Sequence, residues 1–451
     1  MEFIGLYTVF SPEYSGENIR VVIDRWECES LSCSDQWLLV YGRRKTGKTF
    51  LLRRCVNWDM YVTITKTRTC IVEYNGRVEF QDLRPCLDSA LGLLARNEVV
   101  VIDEFQRLPE EYWDLIGLKH HDVAGRLILC GSSLGIARKV FDRRSPLLGL
   151  LEPFLVDIAS PEDTILSLTK YLKPKDAILW ATIARDPWIL GIITPYGEPW
   201  RTIVDRAVGL APISASLIGE VFAEEEKQLT RLYEAVLRFL AQQYWSSKVL
   251  AQKLYEVHLI SSPQPGIVTG LLSQLERMGL VEKIPLWKTR GGRYYYKHRS
   301  PLLSILLKIE ELVEEHGVKP DPQTLMYDLA LELQFMLGEL LARHHGLNRA
   351  YTILPHRQGD IDIVLLDKSK KPVIAYEVKI GEISRSEARK AIEKIRGYGI
   401  PRVGLISLSE KPPEENIDEA LGPQEIIVIA EELKNKRKQP LCKEPTQSTR
   451  L

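Results

Sequence analysis

Gly42-Arg43-Arg44-Lys45-Thr46-Gly47-Lys48-Thr49 satisfies the pattern G-x-x-x-x-G-K-[ST] at every fixed position. An apolar run, residues 37–41, precedes it, and residues 50–58, with helical spacing, follow it. This strand–turn–helix setting is the one in which the motif has chemical meaning. The glycines let the backbone wrap a polyphosphate with its N–H groups turned inward. Lys48 would then reach the β- and γ-phosphates, and Thr49 would offer its hydroxyl to Mg²⁺. The expectation is that Gly42, Arg43, Arg44, Lys45, Thr46, Gly47, Lys48 and Thr49 hold ATP, with Lys48 also serving catalysis.

Further along, Val99-Val100-Val101-Ile102-Asp103-Glu104 reads as an apolar strand ending in two acids. Adjacent carboxylates at a buried strand end are costly without a cation. Asp103 is expected to hold Mg²⁺ through water, and Glu104 to polarise the attacking water. A third apolar run, residues 126–130, ends at Gly131-Ser132-Ser133. The hydroxyls there, Ser132 first, are expected to sense the γ-phosphate or to position the water. Apolar strands alternating with helical stretches over residues 37–159 indicate a parallel α/β sheet.

The chain has 451 residues, too many for one ordinary domain. Its formal net charge is zero, so no overall field draws it to nucleic acid or membrane, and any such contact needs a local patch. The seven cysteines contain no C-x-x-C and the eight histidines are scattered, so neither a disulfide framework nor a zinc site is expected. No run of roughly 18 apolar residues and no leader-like N-terminus is apparent, and a cytoplasmic protein without a membrane partner is expected. Oligomeric state is open at this level.

The expected organisation is multidomain α/β: residues 1–159 as the phosphate-loop core, 160–226 as a helical lid punctuated by Pro187, Pro195, Pro199 and Pro212, 227–300 as a winged helix, 301–323 as a linker helix, 324–430 as an α/β unit and 431–451 as a disordered basic tail. In 227–300 three amphipathic helices precede two strand-like runs, with Ser246 or Ser247 as an N-cap and Gly279 closing the third helix. Lys288, Arg290, Arg293, Lys297 and Arg299, interleaved with Tyr294, Tyr295 and Tyr296, suit DNA backbone contact, although the third helix is poor in base.

The last unit carries D-x(14)-E-x-K in Asp362, Glu377 and Lys379. If residues 367–372 form a turn, paired residue numbers sum to about 739, and Asp362 lies opposite Glu377. Like charges across a ladder repel, and a divalent cation would reverse that sign. A second Mg²⁺ or Mn²⁺ is expected there, with Lys379 beside it and Glu332, or failing that Glu339, as a further ligand from the long helix before it. The competing reading is a plain ion-pair network. Residues 403–408 and 425–429 are read as further strands.

Tyr41 to Thr49, Val101-Ile102-Asp103-Glu104-Phe105-Gln106, Gly131-Ser132-Ser133 and Ser145-Pro146-Leu147-Leu148-Gly149 together resemble the archaeal ATPase family of P-loop proteins, in the AAA-like/STAND neighbourhood. The resemblance implies a winged helix followed by a DUF234-type domain that looks like a PD-(D/E)XK nuclease. It therefore implies an ATP-hydrolysing protein that couples nucleotide state to DNA binding or processing. The alternative is an ATP-controlled signalling module with an inactive nuclease-like domain. The chain departs from the family pattern at Leu150, where an arginine is usual, and at Arg185-Asp186-Pro187-Trp188. An Arg–Glu signature before the phosphate loop is not evident in residues 1–35.

Overall fold

Hydrophobic side chains on alternate positions of the central strands fill both faces of a seven-stranded sheet. The computed structural model describes residues 21–225, 227–288, 293–351, 360–413 and 415–437. The strands are β1 (Leu38–Tyr41), β2 (Met60–Ile64), β3 (Thr69–Tyr74), β4 (Arg77–Asp82), β5 (Val99–Asp103), β6 (Arg126–Gly131) and β7 (Glu152–Leu155), in the order β4-β3-β2-β5-β6-β1-β7. β2, β5, β6, β1 and β7 are parallel, and β3 and β4 extend the β2 edge in antiparallel fashion. Leu39, Val62, Val100, Ile102 and Leu129 bury one face against the helix Leu83–Leu94. Leu38, Val40, Tyr61, Val101 and Ile128 bury the other against Leu51 and Leu52 of the helix Lys48–Cys55. This two-sided burial explains why β5 reads as a continuous apolar run rather than an alternating one. β7, Glu-Pro-Phe-Leu, is largely exposed and carries no such signal.

A disulfide joins Cys28 to Cys55, contrary to the expectation from spacing. The two are 27 residues apart in sequence and meet only because the helix Glu27–Cys33 packs on the helix Lys48–Cys55. Three helices follow the sheet, Pro161–Leu168, Pro174–Ala184 and Pro199–Glu224. Pro212 lies inside the last of these and does not end it. By length and composition alone the segment Ala207–Glu224 of that helix could cross a membrane, although Ser214, Ser216, Glu220 and Glu224 interrupt its apolar residues. Its share of buried residues within the fold is 44%.

Helices Arg231–Ala241, Ser247–Glu256 and Pro265–Arg277 lead into an antiparallel pair, β8 (Val281–Pro285) and β9 (Tyr294–His298). Ser246 caps the second helix by accepting from the Val249 N–H at 3.2 Å, and Gly279 supplies a φ of 69° after the third. The wing turn at 289–292, including Arg290, lies outside the described residues.

The second large sheet comprises β10 (Asn348–Ala350), β11 (Ile363–Leu366), β12 (Pro372–Lys379), β13 (Arg402–Ser407) and β14 (Glu419–Leu421), in that order. Ile363 pairs with Tyr376 and Val364 with Ala375, the register anticipated from the turn, with an irregularity at Leu365/Leu366. Residues 425–429 are not a strand. They belong to the helix Pro423–Arg437, because Ile426, Ile429, Ala430 and Leu433 recur at helical spacing and are buried. That helix also orders 431–437, the start of the expected tail. The rest of the tail lies outside the described residues. One apolar core runs from Ile165 and Trp180 through Leu306 and Leu337 to Ile363, Tyr376 and Ile406, so the helices after the first sheet and the second sheet share an interior.

Candidate nucleotide-binding site

Gly42 has φ 153°, and a Cβ there would lie 2.1 Å from the Val156 carbonyl oxygen, so this turn admits only glycine. Gly47, at φ 93°, opens the helix Lys48–Cys55. Lys48 is 6% exposed and donates to the carbonyls of Gly42 at 2.8 Å and Arg43 at 2.9 Å. Burial lowers its pKa, and the neighbouring acids only partly oppose this. The ammonium therefore sits inside the loop with soft neutral partners that phosphate oxygens would replace at a gain.

Thr49 Oγ1 donates to Asp103 Oδ2 at 2.8 Å, and the Tyr61 hydroxyl donates to the same oxygen at 2.7 Å. The other Asp103 oxygen accepts from the Glu104 N–H at 2.8 Å. A hydroxyl and a carboxylate meeting at the mouth of a phosphate loop form the hard oxygen set that Mg²⁺ takes, so these residues fit the ion. Glu104 has φ 58° and is held by Arg107 at 2.9 Å and by the Gln106 amide at 2.8 Å. Burial first, then the negative charges of Asp103 and Glu224, raise its pKa. Gln106 also donates to Ser132 Oγ at 2.9 Å, so the strand-end serine and the strand-end glutamate are linked through one amide.

Lys48, Thr49, Asp103, Glu104 and Ser132 line a cleft of about 600 Å³ to which Val22, Ile23, Pro187 and Leu190 contribute an apolar wall. Sequence reading missed several contributors. Arg25 donates to the Thr46 carbonyl at 2.7 Å and the Asp157 carbonyl at 2.9 Å and pairs with Glu27, so an Arg–Glu pair does precede the loop. Tyr61 belongs to no spaced motif, and Gln106 stands in the Val101–Gln106 stretch without a role that the sequence assigns. Arg43 pairs with Asp186 at 2.6 Å, and Arg44 pairs with Glu220 and Glu224, each at 2.5 Å. Lys45 has φ 68° and lines the cleft.

The C-terminal candidates are arranged differently from the expectation. Asp362 Oδ2 accepts from the Val378 N–H at 2.7 Å, and Glu377 pairs with Lys394 at 2.7 Å. Lys379 pairs with Glu387 at 2.7 Å. Burial, followed by the charge on Glu377, pushes Asp362 up to about 7. Glu332 does not join them. It is buried against Lys297 at 2.8 Å, facing Asp328 and Tyr295 rather than Glu377. Glu339 pairs with Arg185 and Arg343. Among the described residues no group of three or more His, Cys, Asp or Glu is placed to hold a metal, and Glu377 is paired with Lys394 instead.

The hairpin bases are likewise committed internally. Lys297 bonds Glu282 and Glu332, and Arg299 bonds Asp157 and Glu282. Arg349 also reaches Glu282 at 2.8 Å, and the three cations hold that carboxyl far below the usual range despite its burial. Tyr295 is buried against Phe335 and Tyr351. Arg293 remains exposed.

Residues 34–145 match the family model of the AAA domain. No curated protein matches the chain. Among solved structures, the chain is similar to the Aeropyrum pernix ORC2 protein in ADPNP–ADP complexes, at 14% identity over 64% of this chain and 90% of that one, TM-score 0.38. It is similar to the Aeropyrum pernix ORC1 protein in complex with DNA, at 14% identity over 64% and 92%, TM-score 0.29. It is also similar to the Thermotoga maritima RuvB Holliday junction branch migration motor, at 14% identity over 66% and 92%, TM-score 0.26. The family match and the loop geometry concern the same stretch: residues 34–145 are a P-loop ATPase domain of the AAA type.

Proposed function

We propose that the chain binds Mg·ATP in the cleft between the phosphate loop and the Val22/Ile23–Leu190 wall and hydrolyses it. The observation that carries this is the convergence of Lys48, Thr49, Asp103 and Glu104 on one cleft. Lys48 exchanges its two carbonyl partners for β- and γ-phosphate oxygens. Thr49 and Asp103 would hold Mg²⁺, which when bound screens the phosphate charge. Glu104, steadied by Arg107 and Gln106, accepts the proton of the attacking water, and its raised pKa suits it to take that proton. Ser132 reports on the γ-phosphate through Gln106. The adenine lies against Val22, Ile23, Pro187 and Leu190. Calorimetry with Mg·ATP tests this: wild type binds, and Lys48→Ala does not. Retained binding in that variant, or none in wild type, defeats the assignment.

Residues 231–298 and the C-terminal unit are read as a winged helix and a nuclease-like domain that contact DNA without cutting it. The order of three helices and a hairpin supports the first. For the second, the 363–376 register and the Asp362–Glu377–Lys379 pattern speak for kinship, while Lys394 on Glu377 speaks against a metal. Linear duplex DNA should stay intact with Mn²⁺, and Mn²⁺-dependent cleavage lost in Glu377→Ala would overturn this. Because few hairpin bases are free, DNA affinity should be modest and fall only shallowly between 50 and 200 mM salt, as measured by anisotropy. The alternative, an ATP-controlled signalling module with slow turnover, is favoured by one observation, the capture of Arg44 by Glu220 and Glu224.

A further inference from the structure

The C-terminal end of the helix Pro199–Glu224 brings an unusual number of acids to the phosphate loop. Arg44, inside the loop, is gripped by Glu220 and Glu224. One residue beyond the helix, a single oxygen of Glu225 accepts from Ser133 Oγ at 3.1 Å, the Leu134 N–H at 2.5 Å and the Gly135 N–H at 3.2 Å. The same short stretch thus holds both the phosphate loop and the loop that carries Ser132. Glu224 has a second oxygen, Oε2, buried with no hydrogen-bond partner. Its charge is felt at both Lys48 and Glu104.

The contacts on Arg44, which lines the cleft, do not suit a bound triphosphate. Phosphate oxygens compete with carboxylates for the same guanidinium, and a carboxylate close to Lys48 repels an incoming γ-phosphate. We propose that Glu220, Glu224 and Glu225 form an autoinhibitory latch that holds Arg44 and the 132–135 loop, and that Mg·ATP must displace it. This rests on the ATP-binding reading of the same cleft.

The fold gives the latch somewhere to transmit. Val221 and Phe222, immediately before it, are buried with Val236 and Leu237 of the following helix and with Leu272. Arg138, on the helix that Ser133 caps, donates to the Arg277 carbonyl at 2.8 Å. A Cβ at Gly279 would lie 3.2 Å from a Leu134 methyl and 3.7 Å from the Arg43 Cβ. The three-helix and hairpin unit therefore rests directly on both loops the latch restrains. Release of the acids frees that unit to shift, which ties nucleotide occupancy to its position.

The test uses the full chain and Mg·ATP. The triple variant Glu220→Gln/Glu224→Gln/Glu225→Gln removes the charges and keeps the shapes. Its Kd for Mg·ATP by calorimetry should fall about tenfold, the scale of a unit charge removed near a phosphate in a partly buried site. KM for ATP should fall with it while kcat changes less, a split that a loss of fold would not give. Glu220→Gln alone, at a half-exposed position that cannot unfold the helix, should give a smaller gain in the same direction. Glu79→Gln, on the exposed edge strand β4, should leave affinity unchanged. If wild type binds Mg·ATP and Glu220→Gln binds it no more tightly, the latch is wrong and the ATP site stands. If wild type does not bind, the ATP reading itself has failed.

Discussion

Thr49 and Asp103 are 54 positions apart in the chain, yet the hydroxyl of one donates to the carboxylate of the other at 2.8 Å. The contact exists because β1 and β5 flank β6 in one parallel sheet, so the loop after β1 and the end of β5 open on the same edge. Open α/β sheets bind ligands outside the carboxyl ends of their strands for this reason. In the function proposed above, Asp103 and Thr49 hold the ion, while the neighbouring Glu104 acts on water.

That division of labour gives a sharp expectation for Glu104→Gln. The amide can still sit between Arg107 and Gln106 but cannot take a proton. Mg·ATP affinity should stay within about threefold of wild type, while steady-state hydrolysis should fall by about 100-fold or more, the usual contribution of a general base. Turnover close to wild type would assign the base elsewhere.

Glu282 is surrounded by Lys297, Arg299 and Arg349, and through Arg299 it reaches Asp157 beside the phosphate loop. Glu282→Ala leaves three cations facing one another in a buried space. Breaking a buried ion pair from one side costs about 3–5 kcal/mol. Chemical denaturation should show a loss of that order. A change below about 1 kcal/mol would mean that water already screens the cluster.

The disulfide between Cys28 and Cys55 ties the end of the phosphate-loop helix to the segment that carries Arg25. Closing a loop of that length in the unfolded chain is worth about 3 kcal/mol. Cys28→Ser, compared with wild type under non-reducing conditions, should lower stability by about that amount. Adding a reductant should then affect wild type more than the variant.

Asp362, pushed up to about 7 by burial and by Glu377, gives a pH signature. In the unfolded chain this carboxyl loses its proton near the usual aspartate value, about 4. Between about pH 4 and 7 the folded state holds a proton that the unfolded state has lost, so stability falls as pH rises through that window. Asp362→Asn cannot ionise. Its unfolding free energy should decline less between pH 4.5 and 7.5 than that of wild type, and equal slopes would contradict the assignment.

Local sequence determined the phosphate loop, because the chemistry of Gly42, Gly47, Lys48 and Thr49 is dictated by spacing within one turn. It also determined β1, β5 and β6, whose two-sided burial leaves uninterrupted apolar runs, and the β11–β12 register, which a short turn imposes. It misassigned 425–429, where consecutive Ile426, Ile427 and Val428 imitate a strand although burial follows helical spacing.

What only the tertiary structure decided was where the charges go. Lys297, Arg299 and Glu332 read as a DNA-facing wing and a metal ligand, but long-range packing turned them inward to neutralise one another. The same holds for Arg25 at Thr46, for Cys28 at Cys55, and for Glu224 and Glu225 at the phosphate loop. A strand or a tight turn is fixed by near neighbours in the chain. The partner of a buried charge is fixed by whichever distant element packs against it, and no spacing rule records that distance.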